Sequence, residues 1–339
     1  MTAEQEQIVA DVLAAFGLGP ASDVQPLGGT AARKWSVATR IGCLVVRIRP
    51  DEFADAASTR FDHAVLGRLA SAGLPVPRPI CRPGGDGFFT LGGRTIEVLT
   101  WIDGDAYPAG DPQAAFTLGA FLFRFHAVFE SDFPPGKEGR PREDHPDRIE
   151  PYLAGLLEMA APHERPALEA IGGQLWLIRQ ELDGALYPRL PRAVIHGDLH
   201  PGNVRFRGGE VAALYDFDYL AVHARARDLS DALMFFASTR PAPLEPDRIR
   251  SLTQPFVPDL QACRAVVRGY QSACRLTGDE WRALPWLIRS RWIQMRLRGS
   301  RKVAPAEKIA FVLGRFFEVP EWLDRNGTRF FDELRQECR

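Results

Sequence analysis

Apolar residues recur every three to four positions at Ile8, Val9, Val12, Leu13 and Phe16 and stop at Gly17, predicting a helix over 4–16. Residues 35–39 and 43–48 are apolar-rich runs with β-branched members, joined around Gly42, and predict an antiparallel hairpin. Helical periodicity returns through Phe61, Val65, Leu66 and Leu69 over 57–72 and ends at Gly73, ahead of a proline-punctuated extended run. Strands over 87–91 and 94–100 follow, flanking the Gly92-Gly93 turn, and 101–104 reads as a connector.

Beyond residue 113 the pattern is mainly helical, with apolar stripes over 114–129, 149–159, 166–186, 228–239, 260–276, 280–297 and 307–317. The exception is 193–220. There two short apolar runs, 193–195 and 211–215, frame a polar loop. Residues 131–147, rich in proline, glycine and charge, read as a surface loop with no task of their own. The expected class is α+β: a small N-terminal antiparallel-sheet lobe with one inserted helix over 1–100, and a larger, mainly helical lobe over 101–339.

At 339 residues the chain exceeds one ordinary core, which also favours two lobes. Its 42 basic residues are offset by 43 acidic ones, removing any whole-chain attraction to nucleic acid or to a membrane surface. Five scattered cysteines, none spaced C-x-x-C, indicate neither a disulfide framework nor a zinc site. No secretory leader and no run of about 18 apolar residues stands out, so a cytoplasmic protein is expected. The oligomeric state is not legible.

The candidate chemistry sits in the loop His196-Gly197-Asp198-Leu199-His200-Pro201-Gly202-Asn203, followed by Asp216-Phe217-Asp218 at the end of an apolar run. Phosphoryl transfer to a hydroxyl needs a carboxylate to orient the nucleophile and take its proton, and oxygen ligands to hold Mg²⁺ against the phosphates. Asp198, Asn203 and Asp216 supply those oxygens.

The octapeptide and the later Asp-Phe-Asp together resemble the aminoglycoside phosphotransferase and choline kinase family of protein-kinase-like enzymes, nearest its homoserine kinase and stress-response kinase branch. The resemblance implies a protein-kinase-like two-lobed fold using ATP and Mg²⁺. By position, Asp198 matches the family's catalytic base, and Asn203 and Asp216 its metal ligands. His196 and His200 fit a scaffold role. Asp218 stands as a further metal-side or acceptor-side carboxylate, or as a loop stabiliser. Asp228 matches an element that braces the catalytic loop from a helix start.

The small lobe follows the family pattern less closely. Gly28, Gly29 and Thr30 stand in the phosphate-covering loop without forming G-x-G-x-x-G. Arg47 takes the place of the phosphate-binding lysine, unless Arg47 and Arg49 are the solvated face of an edge strand. Asp62 replaces the partner glutamate, one methylene shorter, which leaves an Arg47–Asp62 pair open. Thr100 and Ile102 match the hinge whose backbone would hydrogen-bond adenine.

For the acceptor, a small molecule with a hydroxyl, the clue is charge. Residues 261–302 carry ten basic residues against Asp279 and Glu280, which favours an anionic or zwitterionic acceptor such as homoserine over a polycationic aminoglycoside. Choline-type and aminoglycoside acceptors, a protein Ser/Thr substrate and a catalytically silent ATP-binding module remain open. The alternative for most of these arginines is a solvated face balanced by acids elsewhere.

Overall fold

The computed structural model describes residues 1–28, 33–129, 132–184 and 186–338. Helix α1 (Ala3–Ala15) opens on a capping box between Thr2 and Gln5. Strands β1 (Asp23–Leu27), β2 (Arg33–Thr39) and β3 (Gly42–Ile48) precede helix α2 (Ala56–Ser71), and β4 (Phe88–Leu91) and β5 (Arg94–Thr100) follow it. They form one antiparallel sheet in the order β1-β2-β3-β5-β4. Strand β1 escaped the sequence reading because Pro26 and its polar neighbours suit an edge.

Alternation along β3 explains how both faces of the sheet are used. Leu44, Val46 and Ile48 join Val9, Val12 and Leu13 of α1 in one core, while Val45 joins Phe61, Val65 and Leu66 of α2 in another. Arg47 and Arg49 share the α2 side with Val45 and are only 7% and 4% exposed, which overturns the solvated-edge alternative. In register, Arg47 lies opposite Glu97 of β5.

The chain then becomes helical: α3 (Pro112–Ala127), α4 (Pro146–Met159), α5 (Arg165–Ile178), α6 (Ala226–Phe236), α7 (Ile249–Leu252), α8 (Leu260–Tyr270), α9 (Gly278–Gly299), α10 (Lys308–Leu313) and α11 (Glu318–Glu337). Helices α3 and α8 cross through paired glycines. A Cβ on Gly119 would lie 2.0 Å from the Val266 carbonyl oxygen, and one on Gly269 equally close to that of Phe116. Helix α9 is buried along most of its length, with Arg289, Arg291 and Arg296 among the buried residues. Helix α11 went unpredicted because Val319, Leu323, Phe331 and Leu334 are diluted by charge.

Two strand pairs interrupt the helices and present the central loop: β6 (Arg192–Ile195) with β9 (Ala221–Ala224), and the hairpin β7 (Val204–Arg207) with β8 (Glu210–Leu214). The expectation of an idle surface loop over 131–147 is corrected for its described part, 132–147. Lys137, Arg142 and Asp144 in it are buried, each charge held by opposite charges. Among the described residues no helix is long and apolar enough to cross a membrane.

Candidate active site

The loop between β6 and β7 is held mostly through its backbone. Asp228, near the start of α6, accepts the His196 N–H at 2.6 Å and the Gly197 N–H at 2.8 Å; Asp231, one turn on, accepts that of Leu199 at 3.3 Å. Gly197 sits at φ 79°, and a Cβ there would meet the Tyr219 carbonyl oxygen at 2.7 Å, so this position requires glycine. His196 Nδ1 accepts the Asp198 N–H, which leaves Nε2 protonated to donate to the Tyr215 carbonyl at 2.7 Å. His200 Nδ1 caps the following turn at Gly202. Both histidines are thus occupied with the loop's shape.

Asn203 donates its side-chain N–H to the Asp198 carbonyl at 2.9 Å, keeping Oδ1 as an acceptor. Asp216 adopts φ 62°, a left-handed conformation that aspartate tolerates and that recurs at functional turns. Asp198 itself is fixed by charge. Arg291 of α9 donates to its Oδ1, and His200 Nε2 stands 3.9 Å from Oδ2. Burial would raise the Asp198 pKa, but Arg291, then His200, holds the carboxyl well below the usual range. It is ionised at neutral pH.

Two clefts meet at this loop. The smaller, about 230 Å³, runs between β3, β5 and the loop, with Val45, Leu66, Leu99 and Trp101 at its apolar side and Arg47, Asn203 and Asp216 at its polar side. The larger, about 630 Å³, takes in Asp198, Arg291, Arg298, Arg301 and Lys302. Asn203 and Asp216 line both, whereas Asp198 lines the larger. Gly28 faces both clefts; Gly29 and Thr30 lie outside the described residues.

The small-lobe expectations need correction. Arg47 does not pair with Asp62. Its Nη2 donates to both oxygens of Asp218, at 2.6 and 2.7 Å, and its Nε lies 3.3 Å from Glu97. Asp62 instead takes Arg49 and Lys137, each at 2.5 Å. The shorter side chain meets the next arginine along the same face of β3, and Lys137 completes the pair. Lys137 also donates to the carbonyls of Leu220 and Asp218, at 2.9 and 3.4 Å. Three cations and three carboxylates thus balance one another behind the smaller cleft.

The hinge is also modified. Thr100 lines the smaller cleft, but the backbone N–H and C=O of Ile102 are both engaged by the Tyr215 hydroxyl and are not open to adenine. Tyr215 ends the run leading to Asp216, so one residue ties the hinge to that turn.

Asn203 and Asp216 fit a small divalent cation, since Mg²⁺ takes one or two protein oxygens and completes its shell with phosphates and water. Sequence reasoning missed Arg49, Glu97, Lys137, Asp231 and Arg291 as parts of this centre. The i, i+3 spacing of Asp228 and Asp231 was a usable signal; Lys137 carried none.

Residues 23–266 match a family described as phosphotransferase enzymes. Homoserine kinase from Beijerinckia indica is 28% identical over 243 residues, 68% of this chain and 64% of that protein. Homoserine kinase from Acidiphilium cryptum is 28% identical over 282 residues, 79% of this chain and 77% of that one. Among solved structures, an amicoumacin kinase in complex with AMP-PNP and Ca²⁺ superposes with a TM-score of 0.71 at 15% identity, covering 94% of both chains. A microcompartment-associated aminopropanol kinase gives 0.71 at 15% identity, over 96% of this chain and 99% of that one.

Proposed function

The chain belongs to the phosphotransferase enzyme family, and on that premise we propose that it moves the γ-phosphoryl group of Mg-ATP to a hydroxyl of a small amino-acid-like alcohol, homoserine or a close analogue, with Asp198 as base. The carrying observation is the Asp198 carboxylate, paired with Arg291 on the wall of the larger cleft, with Asn203 and Asp216 where the two clefts meet. In this reading ATP occupies the smaller cleft, with adenine toward its apolar side and the phosphates toward Arg47, Asn203 and Asp216.

Asp198 accepts a hydrogen bond from the acceptor hydroxyl, aims its oxygen at the γ-phosphorus and takes the proton as the oxygen–phosphorus bond forms and ADP departs. Asn203 and Asp216 would hold Mg²⁺, which when bound neutralises charge developing on the phosphate oxygens. Arg47 reaches phosphate only by loosening its grip on Asp218.

The acceptor's character is read from the larger cleft. Most of the arginine-rich segment is balanced internally: Arg289 by Asp324, Arg264 by Glu337, Arg282 by Asp279 and Arg296 by four backbone carbonyls. Arg289 and Arg296 are nevertheless buried, so a solvated face is not what they form. Arg298, itself paired with Glu143 and Glu52, lines the cleft together with Arg301 and Lys302, and this cationic wall favours a carboxylate-bearing acceptor. Asp51 and Asp247 line the same cleft and favour an ammonium group, which suits a zwitterion; a purely cationic amino alcohol is the second reading.

The test is ADP release with homoserine, aminopropanol, choline, ethanolamine and kanamycin as acceptors. Homoserine or another zwitterion should be turned over best. Preference for choline or kanamycin would refute the acceptor assignment.

A further inference from the structure

The backbone and the side chain of the central loop are fixed very differently. Its N–H groups at 196, 197, 198 and 199 are taken by Asp228, His196 and Asp231. Its key carboxylate has one hydrogen-bonding partner among the described residues, Arg291. That arginine is 5% exposed and held in turn: its Nη1 donates to Gln294 at 2.5 Å, and its Nε lies 3.2 Å from Asp231 Oδ1, an ion pair outside hydrogen-bond geometry. A guanidinium is planar and permanently charged, so fixing one edge fixes the direction of the other.

Asp231 therefore acts twice. One oxygen receives the Leu199 N–H, setting the loop, and the other faces Arg291. Behind it the charges continue to alternate through Arg227, Asp144 and Arg142, all buried, so Asp231 is held from both sides. Such a chain resists rotation of any member, because swinging one charge away leaves its neighbour buried and unpaired.

We propose that Arg291, backed by Asp231, is the positioning residue of the phosphoryl-transfer step: it occupies Oδ1 of Asp198, fixes the carboxylate plane and leaves Oδ2 to receive the acceptor hydroxyl. This rests on the reading of Asp198 as base. Arg291 makes no bond to the substrate in the step. It removes rotational freedom from the group that does, which is where about a hundredfold in rate is lost by a small misplacement.

The test is steady-state kinetics on Arg291→Met, Arg291→Lys, Arg291→Ala, Asp198→Asn and the double variants Asp198→Asn/Arg291→Met and Asp198→Asn/Arg291→Ala, with thermal melts for each. Arg291→Met should lower kcat by roughly thirtyfold or more while KM for ATP stays within about threefold, because the nucleotide contacts are elsewhere. Millimolar methylguanidinium should restore part of the rate of Arg291→Ala and none in Asp198→Asn/Arg291→Ala. The double variant with Met should be no more than about threefold slower than Asp198→Asn alone, since residues acting through one another are not additive.

A folded Arg291→Met with kcat within about threefold of wild type, beside an inactive Asp198→Asn, would overturn the positioning role and leave the base standing. Multiplying penalties would overturn it too, by showing that Arg291 acts on something else. If Arg291→Met does not fold, Arg291→Lys decides. An ammonium lacks the planar fork, so kcat should fall about fivefold or more, and wild-type kcat would overturn the proposal. Near-normal turnover in Asp198→Asn would overturn both readings together.

Discussion

Behind the smaller cleft, six charges interlock: Arg47, Arg49 and Lys137 against Asp62, Glu97 and Asp218. At the wall of the larger cleft, Asp198 has one hydrogen-bonding partner among the described residues, Arg291, with His200 Nε2 3.9 Å from its other oxygen. Both are arrays of paired, largely buried charge, and both must offset the desolvation of ions. They differ in redundancy. Every member but Lys137 pairs with two or more of the others, and Lys137 adds two backbone carbonyls to Asp62, so the cluster acts as a rigid floor shared by β3, β5, α2 and two loops. The base on the second side has one tether, leaving its other oxygen available. The molecule spends redundancy where it needs rigidity and withholds it where a hydrogen bond must be exchanged with substrate.

That contrast can be broken at the cluster first. We expect Lys137→Met to lower stability by about 3–5 kcal/mol, because it leaves a buried carboxylate short of a partner. Asp62→Asn/Lys137→Met should cost less than the two single changes combined. Burial pushes the Asp62 carboxyl up and the Lys137 ammonium down, so each tolerates loss of charge better when the other is lost. Denaturant titrations of the three variants check this; wild-type stability in Lys137→Met would show the floor to be over-determined even there.

Next in size are the ligands at the junction of the clefts. Asp216→Ala and Asn203→Ala should each weaken Mg-ATP binding by roughly tenfold or more, as each removes an oxygen from a cation that demands near-octahedral coordination. Calorimetry with and without Mg²⁺ reads this, and unchanged Mg²⁺-dependent affinity in both would remove the metal assignment.

A smaller effect is expected with pH. Because Arg291 and His200 hold the Asp198 carboxyl below the usual range, the base stays ionised as pH falls past about 4, where ordinary aspartates protonate. The stability this pair contributes is present above the ordinary carboxylate pKa and is lost as pH falls through the lowered native value. An acid limb of kcat tracing to Asp198 in the ordinary range would contradict the pairing. Smallest is the salt effect. KM for a carboxylate-bearing acceptor should rise a few-fold between low and moderate ionic strength, and that of a neutral analogue less, since charges lining an open cleft are screened.

The same two regions mark what the sequence revealed. The loop from His196 to Asn203 is one unbroken run with the turn at Asp216 a short hairpin further on, and their residues point to phosphoryl transfer from the sequence alone. The small-lobe cluster is built from residues 47, 49, 62, 97, 137 and 218, where the closing pair, Arg47 and Asp218, is 171 positions apart. Periodicity placed α2 and β3 and so brought Asp62 near the arginines, but the choice of Arg49 over Arg47 depends on side-chain length and register. Lys137 was invisible because a loop of proline, glycine and charge reads alike whether it is solvated or inserted between lobes. Arg291 was legible as charge and illegible as a contact, since helix α9 is buried on most sides from Leu287 onward and its apolar stripe does not say which way its arginines face.

The central claim is that Asp198 takes the acceptor's proton and does little for nucleotide binding. The measurement that bears on it most directly is turnover of Asp198→Asn beside its calorimetric affinity for Mg-ATP. We expect kcat to fall by at least about a hundredfold while affinity stays within a few-fold of wild type, because the variant loses a general base and keeps every contact proposed for the phosphates. Turnover near the wild-type value, or a loss fully explained by weakened Mg-ATP binding, would contradict the account.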